Sequence, residues 1–256
     1  MKGASAMVKF RYNGATGHRG NPEAAPENTL ESFENAIELG CDFIETDVHL
    51  THDGRLMLCH DSSTLRTCGV DLKFAECDSA ELRRLDASVN FNRKAAVPFQ
   101  ATRIPFLEEA LEMVRRYPDV RLSLQPKCPH VKEICDAVKR AGMCSQIAFN
   151  DGNLDYMKTA KREIPEAVIF YDTGSVPQLE EAIDISAGLG FFAIVAAYHT
   201  LTPEYIKAIR AAGLEPGAWN VNDPDGIAKY LAMGAYRLYS DMPAEVLRRK
   251  GFIIQE

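Results

Sequence analysis

The stretch PENTLESFENAIELGCDFIETDVHL, residues 26–50, contains a helix followed directly by a strand. Leu30, Phe33 and Ile37 recur at the spacing of one helix face, and Gly40 is the type of residue that ends a helix. β-branched and aromatic residues then recur up to position 50, which is typical of a strand. A helix joined in this way to a strand is the repeating unit of a parallel sheet.

The same alternation of strand and helix continues along the chain. Thr202-Pro203 and Asp223-Pro224 each predict a helix start, because proline is favoured at the first helical position. Eight predicted strands separated by helical segments indicate a (β/α)8 barrel, or TIM barrel, whose usual length is about 250 residues. The alternative, a doubly wound open sheet, normally has fewer strands and a glycine-rich first turn, which this chain lacks. The eight predicted strands are Val8–Asn13, Asp42–Leu50, Arg121–Gln125, Gln146–Asn150, Ala167–Tyr171, Phe191–Ala197, Glu215–Val221 and Tyr236–Ser240.

Three of the intervening helices have predicted ends. The first has Asn28 as its N-cap, with Glu31 three residues later, a pattern similar to a capping box. The second runs from about Phe106 and stops before Pro118, because a residue before proline disfavours the helical conformation. The third ends at Gly142.

A long polar interval, about residues 62–104, interrupts this alternation and contains one short helical piece at residues 79–85. We interpret the interval as a small insertion after the hairpin that follows the second strand. Residues 1–256 are therefore expected to form a single barrel domain.

The Asp53-Gly54 pair, flanked by strand-like runs, predicts a two-residue β-hairpin. In such a hairpin Asp47 lies directly opposite His60, and opposing residues share one face of the ribbon. Glu45 lies on that same face, because side chains alternate along a strand. The predicted hairpin therefore brings two carboxylates and one imidazole together.

The overall composition excludes several classes of function. A net charge of −7 and a pI near 5.5 argue against nucleic-acid binding, which favours a basic surface. The sequence contains neither a signal peptide nor a run of apolar residues long enough to span a membrane. Seven cysteines without any CxxC pair are typical of reduced thiols, so we expect a cytoplasmic protein.

The second predicted strand carries two carboxylates near its C-terminal end, where TIM barrels place their active sites. Glu45 and Asp47 are two positions apart and so point the same way. Oxygen ligands of this kind favour a hard cation, Mg²⁺ or Ca²⁺. Alternatively, the two carboxylates form salt bridges with Arg19 or Lys127 and only support the barrel.

The first predicted strand leads into Gly17-His18-Arg19-Gly20. Arginine binds phosphate with two parallel hydrogen bonds, and histidine titrates near neutral pH. A lone histidine is more often structural, but a second histidine, a metal and Lys127 would together meet the needs of phosphodiester cleavage. That reaction requires a base, an acid and positive charge on the non-bridging oxygens.

These motifs, in this order, resemble the glycerophosphodiester phosphodiesterase family. The resemblance spans nearly the whole chain and implies a TIM barrel that hydrolyses glycerophosphodiesters to glycerol 3-phosphate and an alcohol. The expected partner is thus a small-molecule phosphodiester substrate. The matching segments are GHRG at 17–20, PENTLESFENAIELGCDFIETDVHLTHDG at 26–54, HD at 60–61, PFLEEAL at 105–111 and WNVN at 219–222.

The resemblance also implies roles for individual residues. His18 and His60 correspond to the acid–base pair, and Arg19 and Lys127 to the phosphate-binding residues. Trp219 corresponds to an aromatic residue that packs against the alcohol portion of the substrate. Glu27 and Asn28 match the ENT of the family motif, and we interpret them mainly as helix-capping residues. The implied ligands of a divalent metal are Glu45, Asp47 and Gln125.

Gln125 departs from the family pattern, which has a glutamate at this metal-ligating position. The change removes one negative charge and predicts weaker metal binding, and it leaves open a barrel that binds phosphate ligands with little or no turnover. A lysophospholipase D-like enzyme is a further alternative. In that case Phe91, Val97, Pro98 and Phe99 of the insertion would line an apolar mouth. Otherwise these four residues form a small core of the insertion itself, which is the interpretation that we favour.

Overall fold

Eight parallel strands close into a barrel in the computed structural model, which describes residues 10–252. The ring closes where the first strand pairs with both the second and the last. A ninth, short strand pairs antiparallel with the second and lies outside the ring. The strands are β1 (Ala15–Gly17), β2 (Phe43–Leu50), β3 (Leu56–Leu58, the antiparallel strand), β4 (Arg121–Pro126), β5 (Ile147–Asp151), β6 (Val168–Thr173), β7 (Ala193–Ala197), β8 (Glu215–Trp219) and β9 (Arg237–Ser240).

Helices connect successive parallel strands, and the predicted (β/α)8 barrel is confirmed. Gly40 and Gly142 end their helices with φ angles of 107° and 66°, as predicted. Thr202 and Asp223 each cap a helix that has proline in its first turn. The helices are α1 (Leu30–Leu39), α2 (Leu65–Cys68), α3 (Ser79–Leu82), α4 (Val89–Asn92), α5 (Leu107–Arg115), α6 (Val131–Ala141), α7 (Leu154–Glu163), α8 (Val176–Leu189), α9 (Pro203–Ala211), α10 (Pro224–Met233) and α11 (Pro243–Arg249).

The prediction of the first strand at Val8–Asn13 is wrong, although its first two residues lie outside the described part of the chain. The strand β1 begins only at Ala15. The backbone N–H groups of Asn13 and Gly14 donate to the Asp42 carboxylate, at 3.0 and 2.8 Å, instead of to a neighbouring strand. This side-chain contact delays the start of the β-ladder.

The predicted N-cap of α1 is also wrong by one residue. Thr29 is the N-cap, and its Oγ1 accepts a hydrogen bond from the Ser32 backbone at 3.3 Å. Asn28 adopts a left-handed conformation, with φ 56°, and its side chain turns into the barrel. The Asn28 side chain therefore contacts Thr46 and Asp47 of β2 instead of capping α1.

The hairpin register differs from the prediction by one residue. Its loop has three residues, 52–54, with Gly54 in the left-handed conformation at φ 75°, a common hairpin type. Asp47 consequently faces Cys59, whose N–H donates to the Asp47 carbonyl at 3.1 Å. His60 lies beyond the end of β3. The observed pairs are Val48 with Leu58, His49 with Met57 and Leu50 with Leu56.

The interval between β3 and α5 forms its own small layer beside the barrel. It contains α2, α3 and α4, and the predicted helical piece at 79–85 is shorter, ending at Leu82. Among residues 10–252 no helix is both long and apolar enough to cross a membrane. The apolar cluster of this layer consists of Met57, Cys59, Cys68, Phe74, Leu82, Ala87 and Ile104.

The barrel interior is filled near the N-terminal ends of the strands and open at the other end. Arg237 is fully buried and forms ion pairs with Asp42 at 2.9 Å and Glu215 at 2.6 Å. Phe43 and Phe170 pack edge to face beside it, with ring centroids 5.0 Å apart. This filling leaves space only at the C-terminal ends of the strands.

The Thr29 cap leads to a stability prediction. Thr29→Ala should lower the free energy of unfolding by about 1 kcal/mol or slightly more, because a buried helix N-cap loses its acceptor. Thr29→Ser keeps the oxygen and should cost less than half of that amount. Urea unfolding measures both values. Equal losses in the two variants would show that the oxygen does not cap α1.

Candidate active site

A cavity of about 390 Å³ opens at the C-terminal ends of the barrel strands. Asp47 lies directly beneath it, fully buried on β2. The structure thus brings the predicted residues together, and it adds Asn150, Asp172, Asn220 and Tyr239 to the lining. The predicted residues that line the cavity are His18, Arg19, Glu45, His60, Gln125, Lys127 and Trp219.

Asp47 is surrounded by groups that stabilise its negative charge. Lys127 Nζ lies 3.0 Å from Oδ1 and Arg19 Nε lies 3.4 Å from Oδ2. Asn28 Nδ2 donates to Oδ2 at 2.8 Å, a role that the helix-capping interpretation of Asn28 missed. Burial opposes ionisation, but these contacts hold the pKa of Asp47 below its ordinary value.

Glu45 lies next to Asp47 on the inner face of β2 and has far less compensation. It is 1% exposed, and its Oε2 accepts one hydrogen bond, from the Arg19 backbone at 3.0 Å. Burial, followed by the charge of Asp47, raises the pKa of Glu45 to about 7. Glu45 therefore carries an incompletely stabilised charge at neutral pH.

The turn after β1 holds Arg19 against these carboxylates. Arg19 adopts the left-handed conformation at φ 56°, and its Nη1 donates to Glu27 Oε1 at 2.9 Å. At Gly20, φ 91°, a Cβ atom would lie 2.4 Å from Ser32 Oγ. The glycine is thus required because the turn packs tightly against α1.

Each of the two histidines has a carboxylate at Nδ1. His18 Nδ1 lies 2.5 Å from Asp241 Oδ1, and His60 Nδ1 lies 2.6 Å from Asp61 Oδ1. A carboxylate at Nδ1 fixes the tautomer and orients the ring, so Nε2 is the nitrogen that can transfer a proton. His18 Nε2 also lies 2.8 Å from Asn220 Nδ2. Burial lowers the pKa of His60, and the charge of Asp47 and the hydrogen bond with Asp61 partly offset that shift.

Arg66 of α2 connects the two sides of the site. It donates to Asp61 Oδ2 at 2.7 Å and to both oxygens of Glu27 at 2.6 and 2.7 Å. Because Glu27 also binds Arg19, the Arg66 guanidinium contacts both Asp61, the partner of His60, and Glu27, the partner of Arg19. Burial raises the pKa of Asp61. Hydrogen bonds with Arg66 and, to a lesser extent, with His60 outweigh that effect and lower the pKa to about 2.

Sequence reasoning missed these supporting residues for different reasons. The ENT motif at residues 27–29 did single out Glu27, but it did not indicate that Glu27 binds Arg19 and Arg66. Asp241 follows the last strand at its C-terminal end, and that position alone could have indicated a site residue. Arg66 carries no signal in the sequence, because only the tertiary packing of α2 brings it to Glu27.

Glu45 and Gln125 line the cavity, and Asp47 is buried next to them on β2. Asp47 and Gln125 are direct neighbours in the pairing of β2 with β4, and Lys127 Nζ donates to the Gln125 amide oxygen. Within residues 10–252 no group of three or more Asp, Glu, His or Cys side chains is arranged to hold a metal ion. A metal at this position would therefore have two carboxylates and one amide oxygen as protein ligands.

The chain is similar to proteins of one family. A family model described as "Glycerophosphoryl diester phosphodiesterase family" matches residues 18–245. A glycerophosphodiester phosphodiesterase of Caldanaerobacter subterraneus subsp. tengcongensis is 27% identical over 91% of this chain and 97% of that protein.

Solved structures show the same similarity. An Oleispira antarctica phosphodiesterase in complex with the product sn-glycerol-3-phosphate is 26% identical, with a TM-score of 0.80 over 91% of this chain and 95% of that chain. The structure of a Silicibacter pomeroyi DSS-3 protein that is described as a glycerophosphoryl diester phosphodiesterase superposes with a TM-score of 0.82 over 95% of each chain. At 22% identity it supports the fold alone.

Proposed function

The chain belongs to the glycerophosphoryl diester phosphodiesterase family and is a phosphoric diester hydrolase, and we propose that His18 and His60 are its acid–base pair in the hydrolysis of glycerophosphodiesters to glycerol 3-phosphate and an alcohol. One observation carries this proposal. Two imidazoles, each with a carboxylate at Nδ1, line the same cavity as Arg19 and Lys127. The cavity thus combines proton-transfer groups with positive charge for a phosphate.

The two histidines divide the proton transfers between them. In the assignment that we favour, His18 removes a proton from the attacking oxygen. That oxygen belongs either to water or to the 2-hydroxyl of the substrate, in which case a water molecule must afterwards open the cyclic phosphate to give glycerol 3-phosphate. His60 then donates a proton to the departing alkoxide. Arg19 and Lys127 stabilise the negative charge on the non-bridging oxygens, as placed cations do in phosphoryl chemistry.

The oxygen donors beside Arg19 fit a hard divalent cation, and we propose Mg²⁺ or Ca²⁺ held by Glu45, Asp47 and Gln125. Glu45 is buried with one hydrogen bond and a pKa raised to about 7, so an adjacent positive charge would stabilise its ionised form. Such a cation would supply additional positive charge next to the phosphate. Gln125 keeps an oxygen ligand but brings no charge.

A lysophospholipase D-like activity is the second candidate, and a separate cavity favours it. This cavity has a volume of about 630 Å³ and lies between the loop after β1 and the insertion. Phe91, Val97, Pro98 and Phe99 line it together with charged residues such as Glu23 and Lys94. Asp241 lines it too and binds His18, so the cavity borders the catalytic one.

The histidine assignment is tested by substitution. His18→Ala and His60→Ala should each lower kcat by about 10²- to 10⁴-fold, the usual contribution of a general acid or base. His52→Ala is the matched control, since its side chain is 69% exposed and pairs only with Asp78. Hydrolysis of glycerophosphocholine measures all three. Unchanged turnover in both site variants would disprove the assignment.

The His60–Asp61 pair leads to a prediction for the pH profile. Asp61 stabilises the His60 imidazolium, so Asp61→Asn should lower the pKa of His60 further. The limb of the kcat/KM profile that reports His60 should consequently move to lower pH. Asp78→Asn, which removes the partner of exposed His52, should leave the profile unchanged. Movement of the limb to higher pH would contradict this role of Asp61.

The amide at position 125 leads to a prediction for metal binding. Gln125→Glu should tighten binding of Mg²⁺ or Ca²⁺ by about tenfold or more, because affinity at oxygen sites rises with ligand charge. Calorimetric titration without substrate measures this, so the result does not depend on turnover. Gln100→Glu adds the same charge on the exposed insertion and serves as the control. Equal affinities in all three proteins would mean that residue 125 is not a ligand.

A further inference from the structure

Arg66, on helix α2 of the insertion, binds two carboxylates with one guanidinium. Its Nη1 and Nη2 donate to the two oxygens of Glu27 at 2.6 and 2.7 Å, and its Nε donates to Asp61 Oδ2 at 2.7 Å. A guanidinium is planar and holds its donors in a fixed fork, whereas a lysine ammonium is a compact point charge. This double contact therefore needs an arginine and not only a positive charge.

Each of the two carboxylates also contacts a residue that the proposed reaction uses. Asp61 Oδ1 lies 2.6 Å from His60 Nδ1, and Glu27 Oε1 accepts a hydrogen bond from Arg19 Nη1 at 2.9 Å. Arg66 is thus two contacts away from the proposed acid and two away from a phosphate-binding arginine. We call this continuous series of charged contacts the Arg66 network, which consists of His60, Asp61, Arg66, Glu27 and Arg19.

The charges of the Arg66 network cancel when His60 is neutral. Arg19 and Arg66 contribute two positive charges, and Glu27 and Asp61 contribute two negative ones. Burial raises the pKa of Glu27, but hydrogen bonds with Arg66 and Arg19 and their charges outweigh that effect and keep the pKa below its ordinary value. Loss of Arg66 would therefore leave one uncompensated negative charge next to Arg19, beside the proposed phosphate site.

Helix α2 is fixed in the insertion by contacts of its own. Cys68, at its C-terminal end, is 5% exposed and belongs to the apolar cluster of the insertion. Thr64, at its N-terminal end, is fully buried, and its backbone N–H donates to the Leu72 carbonyl at 3.0 Å. The backbone that carries Arg66 is therefore anchored on both sides of that residue.

We propose that Arg66 is a positioning residue for the reaction, because it holds Asp61 against His60 and Glu27 against Arg19. This inference rests on the proposed function, since it concerns the orientation of His60 and Arg19 in that reaction. Arg66 does not line the catalytic cavity, so it acts through its two carboxylate partners. Through Arg66, the packing of the insertion determines the geometry of the site.

The tautomer of His60 reports on this positioning. Asp61 accepts at Nδ1, so the neutral ring carries its proton on Nδ1 and leaves Nε2 unprotonated. Nitrogen NMR of the imidazole distinguishes the two tautomers, and His60→Ala identifies the signals of that ring. In Arg66→Met the Asp61 carboxylate can turn to solvent, so we expect the signals to move towards the Nε2–H tautomer.

Turnover should fall with this loss of orientation. Arg66→Met should lower kcat for glycerophosphocholine by about 10- to 10²-fold, since a small misplacement of a catalytic group has an effect of that size. Arg93→Met is the matched control, because Arg93 lies in the same insertion, follows α4 and is exposed. It should leave kcat and the His60 tautomer unchanged. A folded Arg66→Met protein with the wild-type tautomer and the wild-type kcat would overturn the proposal.

Arg66→Lys separates the fork from the charge, and it also carries the test if Arg66→Met does not fold. Lysine keeps a positive charge beside Glu27, so the affinity for glycerol 3-phosphate should stay within about twofold of wild type, against a loss of about two- to fivefold in Arg66→Met. Turnover should still fall by about fivefold or more in Arg66→Lys, because an ammonium does not hold both carboxylates. Full recovery of kcat by lysine would show that only the charge matters and would overturn the positioning role.

A double-mutant comparison distinguishes failure of this inference from failure of the proposed function. In an Asp61→Asn background, where residue 61 no longer fixes the His60 tautomer, Arg66→Met should lower kcat by less than about threefold. An equally large loss in both backgrounds would show that Arg66 does not act through Asp61. If His60→Ala keeps full turnover, the proposed function fails instead. A tautomer change in Arg66→Met would then still support the hold of Arg66 on Asp61, and an unchanged tautomer would overturn it.

Discussion

Two carboxylates buried side by side on one strand constrain the whole catalytic cavity. Glu45 and Asp47 are each 1% exposed, and burying such charges is costly unless other groups compensate them. Lys127, Arg19 and Asn28 compensate Asp47, whereas Glu45 receives one backbone hydrogen bond and has a raised pKa. This inequality explains why the free capacity for a positive charge lies next to Glu45.

The fold follows from patterns that local sequence expresses well. Alternating strands and helices are visible because each helix shows one apolar stripe and ends at a glycine such as Gly40 or Gly142. The errors occur where a tertiary contact overrides a local preference. Asp42 takes the N–H groups before β1, and a three-residue loop replaces the expected two-residue turn at Gly54. That shift invalidates the predicted pairing of Asp47 with His60, yet His60 still reaches the cavity from the segment after β3.

The candidate site was predictable only where residues lie in motifs. The segments GHRG and HD contain both histidines, and the strand acids are recognisable from their spacing. The partners that orient these groups come from distant positions that no periodicity connects. Asp241 binds His18 across 223 residues of sequence, and Arg66 reaches Glu27 across 39. Residues such as Asp172 are equally invisible, because a carboxyl in a strand does not reveal that one of its oxygens lacks a partner.

The cavity consequently has two halves with different physical chemistry. The half formed by β1, β2 and β4 contains opposite charges in direct contact, which suits an anionic phosphate and a cation. The half formed by β5, β6, β8 and β9 contains dipolar groups whose hydrogen bonds are incomplete within the described chain. Unpaired buried groups reduce stability, so a fold retains them only where another requirement outweighs that cost. The two halves therefore differ in kind, because one contains paired opposite charges and the other contains dipolar groups with unused hydrogen-bonding capacity.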